Sequence, residues 1–145
     1  MALHSIFNIA GSAMSAQSVR LNTTASNLAN AESVSSSIDQ TYRARKPVFA
    51  AVQEEANRAF SDLDVNNQSR RGVKVLGIVE SQAPLERRYE PDHPMADEEG
   101  YVYYPNVNVV EEMADMMSAS RSFQLNADVM NTAKTMMQRL LTLGQ

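Results

Sequence analysis

Two histidines are the first candidates for chemistry, because a neutral imidazole can bind a metal or transfer a proton near physiological pH. His93 stands between Asp92 and Pro94, with acidic residues at 90, 97, 98 and 99. Imidazole and carboxylates can bind zinc, but zinc sites have a characteristic ligand spacing that this segment lacks. The pattern favours a solvated turn interrupted by proline. We expect His4 to lie on the surface or the seam of a helix, and we predict no metal site.

Other catalytic patterns are equally weak. A serine-rich chain allows many Ser–His–Asp combinations, but none here resembles a nucleophile elbow. The five glycines are scattered, so they form no phosphate-binding loop. There are no cysteines, which excludes disulfides and thiolate metal sites. We predict no catalysis and no cofactor. A small hydrolase or metal enzyme is the third of three alternatives, and loss of catalysis in a His93→Ala variant would support it.

A small basic cluster, Arg43, Arg45 and Lys46, lies beside Tyr42. It could contact an acidic neighbour or a cell-wall polymer, but a solvated strand end is the simpler interpretation. The whole chain has a net charge of −4 and a pI of about 5.1. Nucleic-acid binders carry a basic footprint, so we predict no nucleic-acid partner.

The chain of 145 residues fits one domain, although 6% aromatic residues and no Trp promise only a modest core. No window reaches the length of about 18 apolar residues that a membrane span needs. Residues Met1 to Ala13 lack the basic region and long apolar core of a cleavable secretion signal. We therefore expect no membrane span, and export, if it occurs, by a route that does not read such a signal.

The N-terminal segment has the pattern of a long helix. From Leu3 to about Ala31 there is no proline, and apolar residues recur at heptad spacing. That heptad row is Phe7, Met14, Leu21 and Leu28, and a second row is Leu3, Ala10, Gln17, Thr24 and Ala31. Polar members in such a seam specify its register. The predicted helix would be roughly 43 Å long.

The middle of the chain has β-strand signals between irregular stretches. Gly72 to Glu80 is rich in β-branched residues and is the best strand candidate, and Gly100 to Tyr104 is a second one. Further predictions are a linker at Ser33–Ser37, a strand and turn at Tyr42–Val52, and a loop or short helix at Gln53–Arg71. Pro84, Pro91 and Pro94 exclude a long regular element.

The C-terminal segment begins with a helix signal, because Asn108 is a potential N-cap and Glu111 follows three residues later as in a capping box. The predicted helix runs from Val109 to Leu143, about 52 Å, with Gly144 as a C-cap. Its heptad row is Val109, Met116, Phe123, Met130 and Met137, flanked by Met113, Ala127 and Leu141 on one side and by Ala119, Ala133 and Leu140 on the other.

These elements predict a mainly α fold with a small β-rich insertion. We expect the terminal helices to pair as an antiparallel coiled-coil-like unit from which the β-containing module projects. The predicted organisation has three parts: an N-terminal helix at 1–33, a middle module at 34–106 and a C-terminal helix at 107–145. The two helices would form the assembly core.

The N-terminal helix carries one formally charged residue between Met1 and Ala31, which is Arg20. A solvated helix normally has charged residues on its outer face. Neutral amides and hydroxyls can enter an interface without the cost of burying ions. We therefore predict contacts with other subunits. An ordinary core is the alternative for the heptad pattern. The predicted subunit interface is Phe7, Met14, Leu21, Thr24, Asn27, Leu28, Asn30, Val109, Met113, Met116, Phe123, Met130, Met137 and Leu141.

Several segments resemble a known family. Ala25-Ser26-Asn27-Leu28-Ala29-Asn30 is similar to the N-terminal signature of flagellar axial proteins, the rod and hook group. Three further segments resemble the proximal rod members: Tyr89–Asp97 with Gly100–Val102, Pro105–Met113, and Met117–Gln124. The closing Leu141–Gln145 fits as well. The resemblance covers both ends of the chain and the segment after Leu85, and 53–71 matches no pattern of the family.

The resemblance implies a structural subunit of the hollow rod that crosses the periplasm, transmits torque and conducts exported axial proteins. It implies export by the flagellar type III apparatus without signal cleavage. The implied partners are copies of itself, other rod subunits and the hook–basal-body junction protein at the export gate. A second alternative, from a different class, is a secreted helical adaptor or chaperone-like module whose seam binds a partner helix. Self-association would separate the two, because an adaptor should form a small defined complex.

Overall fold

The computed structural model describes residues 2–52 and 72–143. The chain begins with a long helix, α1 (Ala2–Ala29), and its last element is a second one, α2 (Val109–Leu143). Between them in the sequence are four strands: β1 (Arg45–Val52), β2 (Gly72–Glu80), β3 (Glu86–Tyr89) and β4 (Tyr101–Tyr104). The chain is therefore mainly α with a small β insertion, as predicted. The loop or helix predicted at 53–71, the side chain of His4 and the cap predicted at Gly144 lie outside what the structure describes.

Helix α1 ends two residues before the predicted position, at Ala29. The backbone N–H of Asn30 donates to the carbonyls of Ser26 and Asn27, both at 3.2 Å. The side-chain amide of Asn30 donates to Ser26 O at 2.8 Å as well. These bonds satisfy carbonyls that a helix end leaves without an intrahelical partner, and the chain then leaves the helix.

The strands form two separate sheets of two strands, β1 with β2 and β3 with β4. The first sheet contains the strands predicted at Tyr42–Val52 and at Gly72–Glu80. The second is an antiparallel hairpin whose register sets Glu86 opposite Tyr104 and Tyr89 opposite Tyr101. Strand β3 was not predicted. Its four residues fit between Pro84 and Pro91, so the prolines exclude only a longer element.

The loop between β3 and β4 is a turn held by hydrogen bonds from side chains to the backbone. The carboxylate of Asp97 accepts hydrogen bonds from the N–H of Glu99 at 2.9 Å and of Tyr101 at 2.8 Å. Gly100 has φ of 82° and lies against Tyr89 and Pro91. The N–H of Met95 donates to Nδ1 of His93 at 3.1 Å. His93 therefore closes a turn of the proline-containing loop, as the sequence favours.

The chain folds into two compact units. One consists of Met1–Val19, Phe49–Leu76 and Ala119–Gln145, and the other of Arg20–Val48 and Gly77–Ser118. Proline aside, the buried hydrophobic residues described in the first unit are Ala10, Ala16, Ala119 and Ala133, and those in the second are Ala44 and Val102. Alanine buries little apolar surface, so the buried residues described in the first unit contribute little stability, and in the described part of the second unit Val102 contributes more than Ala44. Within residues 2–52 and 72–143, no helix has the length and hydrophobicity to span a bilayer.

Candidate functional site

Asn27, in the last turn of α1, holds the beginning of β1. Its side-chain Oδ1 accepts a hydrogen bond from the N–H of Arg45 at 2.9 Å and another from the hydroxyl of Tyr42 at 2.8 Å. Its Nδ2 donates to the carbonyl of Arg45 at 2.8 Å. The side chain is 0% exposed. We call this group, Asn27 with Tyr42 and Arg45, the Asn27 clasp.

The clasp gives the family-like segment around Asn27 a physical role inside the chain. Buried polar groups are expensive unless they are paired, and here both polar atoms of the amide are paired. Ser26 adds a contact of 3.3 Å to the hydroxyl of Tyr42. Asn27 thus joins α1 to β1, and Asn30 terminates α1, in both cases through hydrogen bonds within the chain. Contact of these two residues with another subunit, as the sequence predicts, stays a prediction.

The basic cluster also binds within the chain. Arg43 donates to the carbonyls of Ser81 and Ala83, both at 3.3 Å. The guanidinium of Arg45 lies 3.2 Å from a carboxylate oxygen of Glu80 and 5.4 Å from the centre of the Tyr42 ring. The cluster therefore ties the beginning of β1 to the end of β2 and the residues after it. Arg45 and Lys46 are exposed, which agrees with the solvated strand end that the sequence favours.

Lys46 links β1 to the first turn of α2. Its Nζ lies 2.8 Å from a carboxylate oxygen of Glu111. The hydrogen bond to Glu111 raises the pKa of Lys46, burial opposes this effect, and the negative charges of Glu111, Glu112 and Asp115 add to the rise. The carboxylate of Glu111 is thereby engaged in an ion pair.

The N-cap prediction is confirmed, because Oδ1 of Asn108 accepts from the N–H groups of Val110 at 3.1 Å and of Glu111 at 3.4 Å.

The single charge of the N-terminal helix is neutralised inside the chain. Arg20 on α1 forms an ion pair of 2.5 Å with Asp115 on α2. The two side chains are 28% and 33% exposed, so the pair is partly shielded from solvent. Because Arg20 is the only formally charged residue of the first 31, the described outer surface of α1 presents neutral groups. The ion pair also connects the two helices within the second compact unit.

The predicted interface residues differ in exposure. Thr24 and Asn27 are buried, whereas Phe7, Met14, Leu21, Leu28, Asn30, Met116, Phe123 and Met130 are half-buried. Val109, Met113, Met137 and Leu141 are exposed. The structure contains a single chain, so contact of these residues with another subunit stays a prediction.

Sequence reasoning missed a set of large apolar side chains that α2 exposes outside its predicted heptad row. They are Val110, Met117, Leu125, Val129 and Met136, and Leu140, which the sequence places on the flank of the row, is exposed as well. Large exposed apolar patches mark sites of protein–protein contact. The signal was present in the sequence as apolar residues one or two positions away from the row. Among the residues that the structure describes, no three His, Asp or Glu side chains are placed to hold a metal ion.

Two family models and several relatives match the chain. The family described as "Flagella basal body rod protein" matches residues 7–34, and "Flagellar basal body rod FlgEFG protein C-terminal" matches residues 98–143. The flagellar basal-body rod protein FlgC of Salmonella typhimurium is 54% identical over 145 residues, with 100% of both chains covered. The FlgC of Escherichia coli O157:H7 is 53% identical over the same complete length. That of Borreliella burgdorferi is 34% identical, with 100% of this chain and 99% of the relative covered.

Proposed function

We propose, for a chain that belongs to the FlgC family of flagellar basal-body rod proteins, that its two terminal helices are the parts that join it to its neighbours in the rod. The chain is a structural subunit of the basal-body rod, where it assembles with other rod components. An adaptor or chaperone-like function is not supported, because the relatives match over the full chain and are rod proteins. The proposal concerns the way in which this subunit is held.

One observation carries the proposal: α1 has a neutral exterior, and α2 exposes large apolar side chains. Arg20 is paired with Asp115, so the described part of α1 presents no unpaired charge. On α2, Met117 is 68% exposed. Burying such surfaces against neighbours removes apolar area from water and needs no desolvation of ions. Isolated helices with many Ser, Thr and Asn residues are marginal, so neighbours would also stabilise α1.

We infer further that the predicted heptad rows of α1 and α2 pack as an antiparallel coiled-coil-like seam. The half-buried state of Leu21, Leu28, Phe123 and Met130 supports this, because residues that line a helix seam lose part of their exposed surface. The division into assembly helices at 1–33 and 107–145 and a projecting module at 34–106 belongs to the same proposal. The described helices and strands lie inside those segments.

The finer partners are proposals as well. We propose contacts with copies of this chain, with the hook–basal-body junction protein and, during export, with the flagellar type III apparatus. Export without a cleavable signal and a position in the periplasmic part of the rod belong to the same proposal. We also propose that the subunit acts without catalysis. The family supports this last point because it is a structural one.

The assembly role of the helices is tested by a charge in the predicted seam. Leu28→Asp should reduce motility and the amount of rod recovered, because it places a carboxylate where a neighbouring helix packs. Tyr89→Ala is the comparison, since Tyr89 is 65% exposed on β3 and lies outside both helices. Rod recovery and swimming would be measured in cells that produce only the variant. Unchanged motility with Leu28→Asp would show that the assignment of the seam is wrong.

A further inference from the structure

The second half of α2 has an apolar face that nothing in the described chain covers. Leu125, Val129, Met136 and Leu140 are 60%, 47%, 56% and 61% exposed. At about 100° per residue, these four positions fall within one strip of the helix surface, about 60° wide and 22 Å long. We call it the α2 stripe. It lies beside the predicted heptad row, of which Phe123 and Met130 are half-buried and Met137 is exposed, and it includes Leu140 from the flank of that row.

Charged residues border the α2 stripe on one side only. Arg121, Asp128 and Arg139 lie next to it along the helix and are exposed. Large apolar side chains in the centre with charged side chains at the rim are the usual composition of a protein–protein contact. The partner therefore needs an uncharged surface opposite the stripe, about as long as the stripe itself.

Helix α1 carries such a surface. On the side of α1 opposite Thr24 and Asn27, small or neutral residues recur at three- and four-residue spacing for about 31 Å. They are Asn8, Gly11, Ser15, Ser18, Asn22, Ala25 and Ala29, which we call the α1 outer row. All are exposed except Gly11, which is half-exposed, and a Cβ built on Gly11 meets nothing within 4 Å. The row has no charge that would be buried, and its small side chains leave space for large ones.

We propose that the α2 stripe of one subunit binds the α1 outer row of a second copy of this chain. The proposal rests on the assembly role of the terminal helices proposed above and specifies the faces that meet. The large side chains of one helix would fill the spaces between the small ones of the other, as ridges fill grooves in helix packing. Because the two faces differ, the contact is heterologous. Each pair of subunits therefore keeps one free α2 stripe and one free α1 outer row. Contacts of this type extend into open helical assemblies, which is the architecture that a rod requires.

Cysteine crosslinking tests this pairing directly, because the chain has no cysteine of its own. Two copies with different epitope tags would be produced together, one with Ser18→Cys and the other with Val129→Cys. Basal bodies would be purified and treated with a mild oxidant. We expect a disulfide-linked product that carries both tags, and Met136→Cys should give it with the same partner. The control is Asn131→Cys, which lies about 200° around α2 from Val129 and is also exposed. It should give at least about tenfold less product.

The outcomes separate this pairing from the wider assembly proposal. If both tagged copies are recovered in the basal bodies and no doubly tagged product forms, the pairing is wrong while assembly stands. If Val129→Cys joins only a different rod protein, the occupant is not a second copy and the proposal fails. Equal crosslinking through Asn131→Cys would also overturn it. Failure of the assembly proposal would instead be seen as normal rods in Leu28→Asp cells.

Discussion

The side-chain amide of Asn27 forms with Arg45 the same pair of hydrogen bonds that a neighbouring β-strand would form. Its Oδ1 accepts from the N–H of Arg45, its Nδ2 donates to the carbonyl of the same residue, and both distances are below 3 Å. The N–H and C=O groups in the body of a helix are bonded along the helix axis, so here a side chain makes the connection to the strand. One buried asparagine therefore connects α1 to β1 where two secondary structures of different kinds meet.

Removal of the clasp should destabilise the folded chain. Asn27→Ala removes the side-chain partner of both backbone groups of Arg45 and one of the two partners of the Tyr42 hydroxyl, which keeps its contact with Ser26. Each buried polar group without a partner costs about 1–3 kcal/mol, so we expect the free energy of unfolding to fall by about 2–4 kcal/mol. Urea denaturation of the purified protein measures this. Asn22→Ala, an exposed change on the same helix, should alter stability by less than about 0.5 kcal/mol. Equal stability of the two variants would contradict the role of the clasp.

Tyr42→Phe should have a smaller effect, because it removes one hydroxyl and leaves the bonds between Asn27 and Arg45 intact. We expect a loss of about 1 kcal/mol in the free energy of unfolding. In a double-mutant cycle with Asn27→Ala, the loss in the double variant should be smaller than the sum of the two single losses. Both variants break the same hydrogen bond of 2.8 Å. Strict additivity in denaturation experiments would show that the hydroxyl of Tyr42 and the amide of Asn27 contribute independently.

Gly100 should be sensitive to the addition of a single methyl group. Its φ of +82° is rarely adopted by residues with a side chain, and a Cβ would lie 3.0 Å from the ring of Tyr89 and 3.2 Å from Pro91. We expect Gly100→Ala to lower the free energy of unfolding by about 1–3 kcal/mol. Gly77→Ala is the matched control, because its Cβ would meet nothing within 4 Å. Thermal melting of both variants checks this, and a loss for Gly77→Ala as large as that for Gly100→Ala would refute the argument from backbone strain.

The pair of Lys46 and Glu111 should make a small contribution that depends on pH. The pKa of Lys46 is raised in the folded chain, chiefly by its hydrogen bond to Glu111. Its stabilisation is therefore fully present below the ordinary lysine value of 10.5 and is lost as the pH rises through the raised folded value. Both side chains are more than half exposed, at 54% and 56%, so solvent screening limits the contribution to about 0.2–1 kcal/mol.

Lys46→Gln measures this contribution when melting is compared at pH 8 and in strongly alkaline buffer. The difference from the unsubstituted protein should be visible at pH 8 and should vanish in the alkaline buffer. It should also shrink in high salt, because exposed ion pairs are screened. Lys74→Gln, on the exposed surface of β2, serves as the control for the loss of one lysine. A difference for Lys46→Gln that is the same at every pH would exclude an ionic origin.

Local patterns in the sequence predicted most of the fold. Strand β2 has the predicted bounds, because a β-branched run between glycine and polar residues is a local signal. Helix α2 begins after Asn108 as predicted, because an N-cap acts on the residues next to it. Strand β3 was missed because four residues between prolines carry too little pattern. Its partner β4, more than ten residues later, decides its conformation.

The contacts of the candidate site could not be predicted in the same way. Arg20 and Asp115 are separated by 95 positions, and nothing local to either residue identifies the other. The sequence assigns Asn27 to a subunit interface because a neutral amide can enter an interface without the cost of burying an ion. Its hydrogen bonds to Arg45 depend on the path of the chain between α1 and β1, which the linker composition does not determine. The uncharged exterior of α1 was predictable, because it follows from residue types alone.

The Asn27 clasp also fixes the rotational phase of α1. Hydrogen bonds weaken steeply when their angles are distorted, and a turn of the helix by one residue would move Asn27 about 100° around the axis, away from Arg45. A helix held by apolar contacts alone could settle in several such orientations with little difference in energy. One fully buried amide therefore determines which side of the last turns of α1 is directed toward β1.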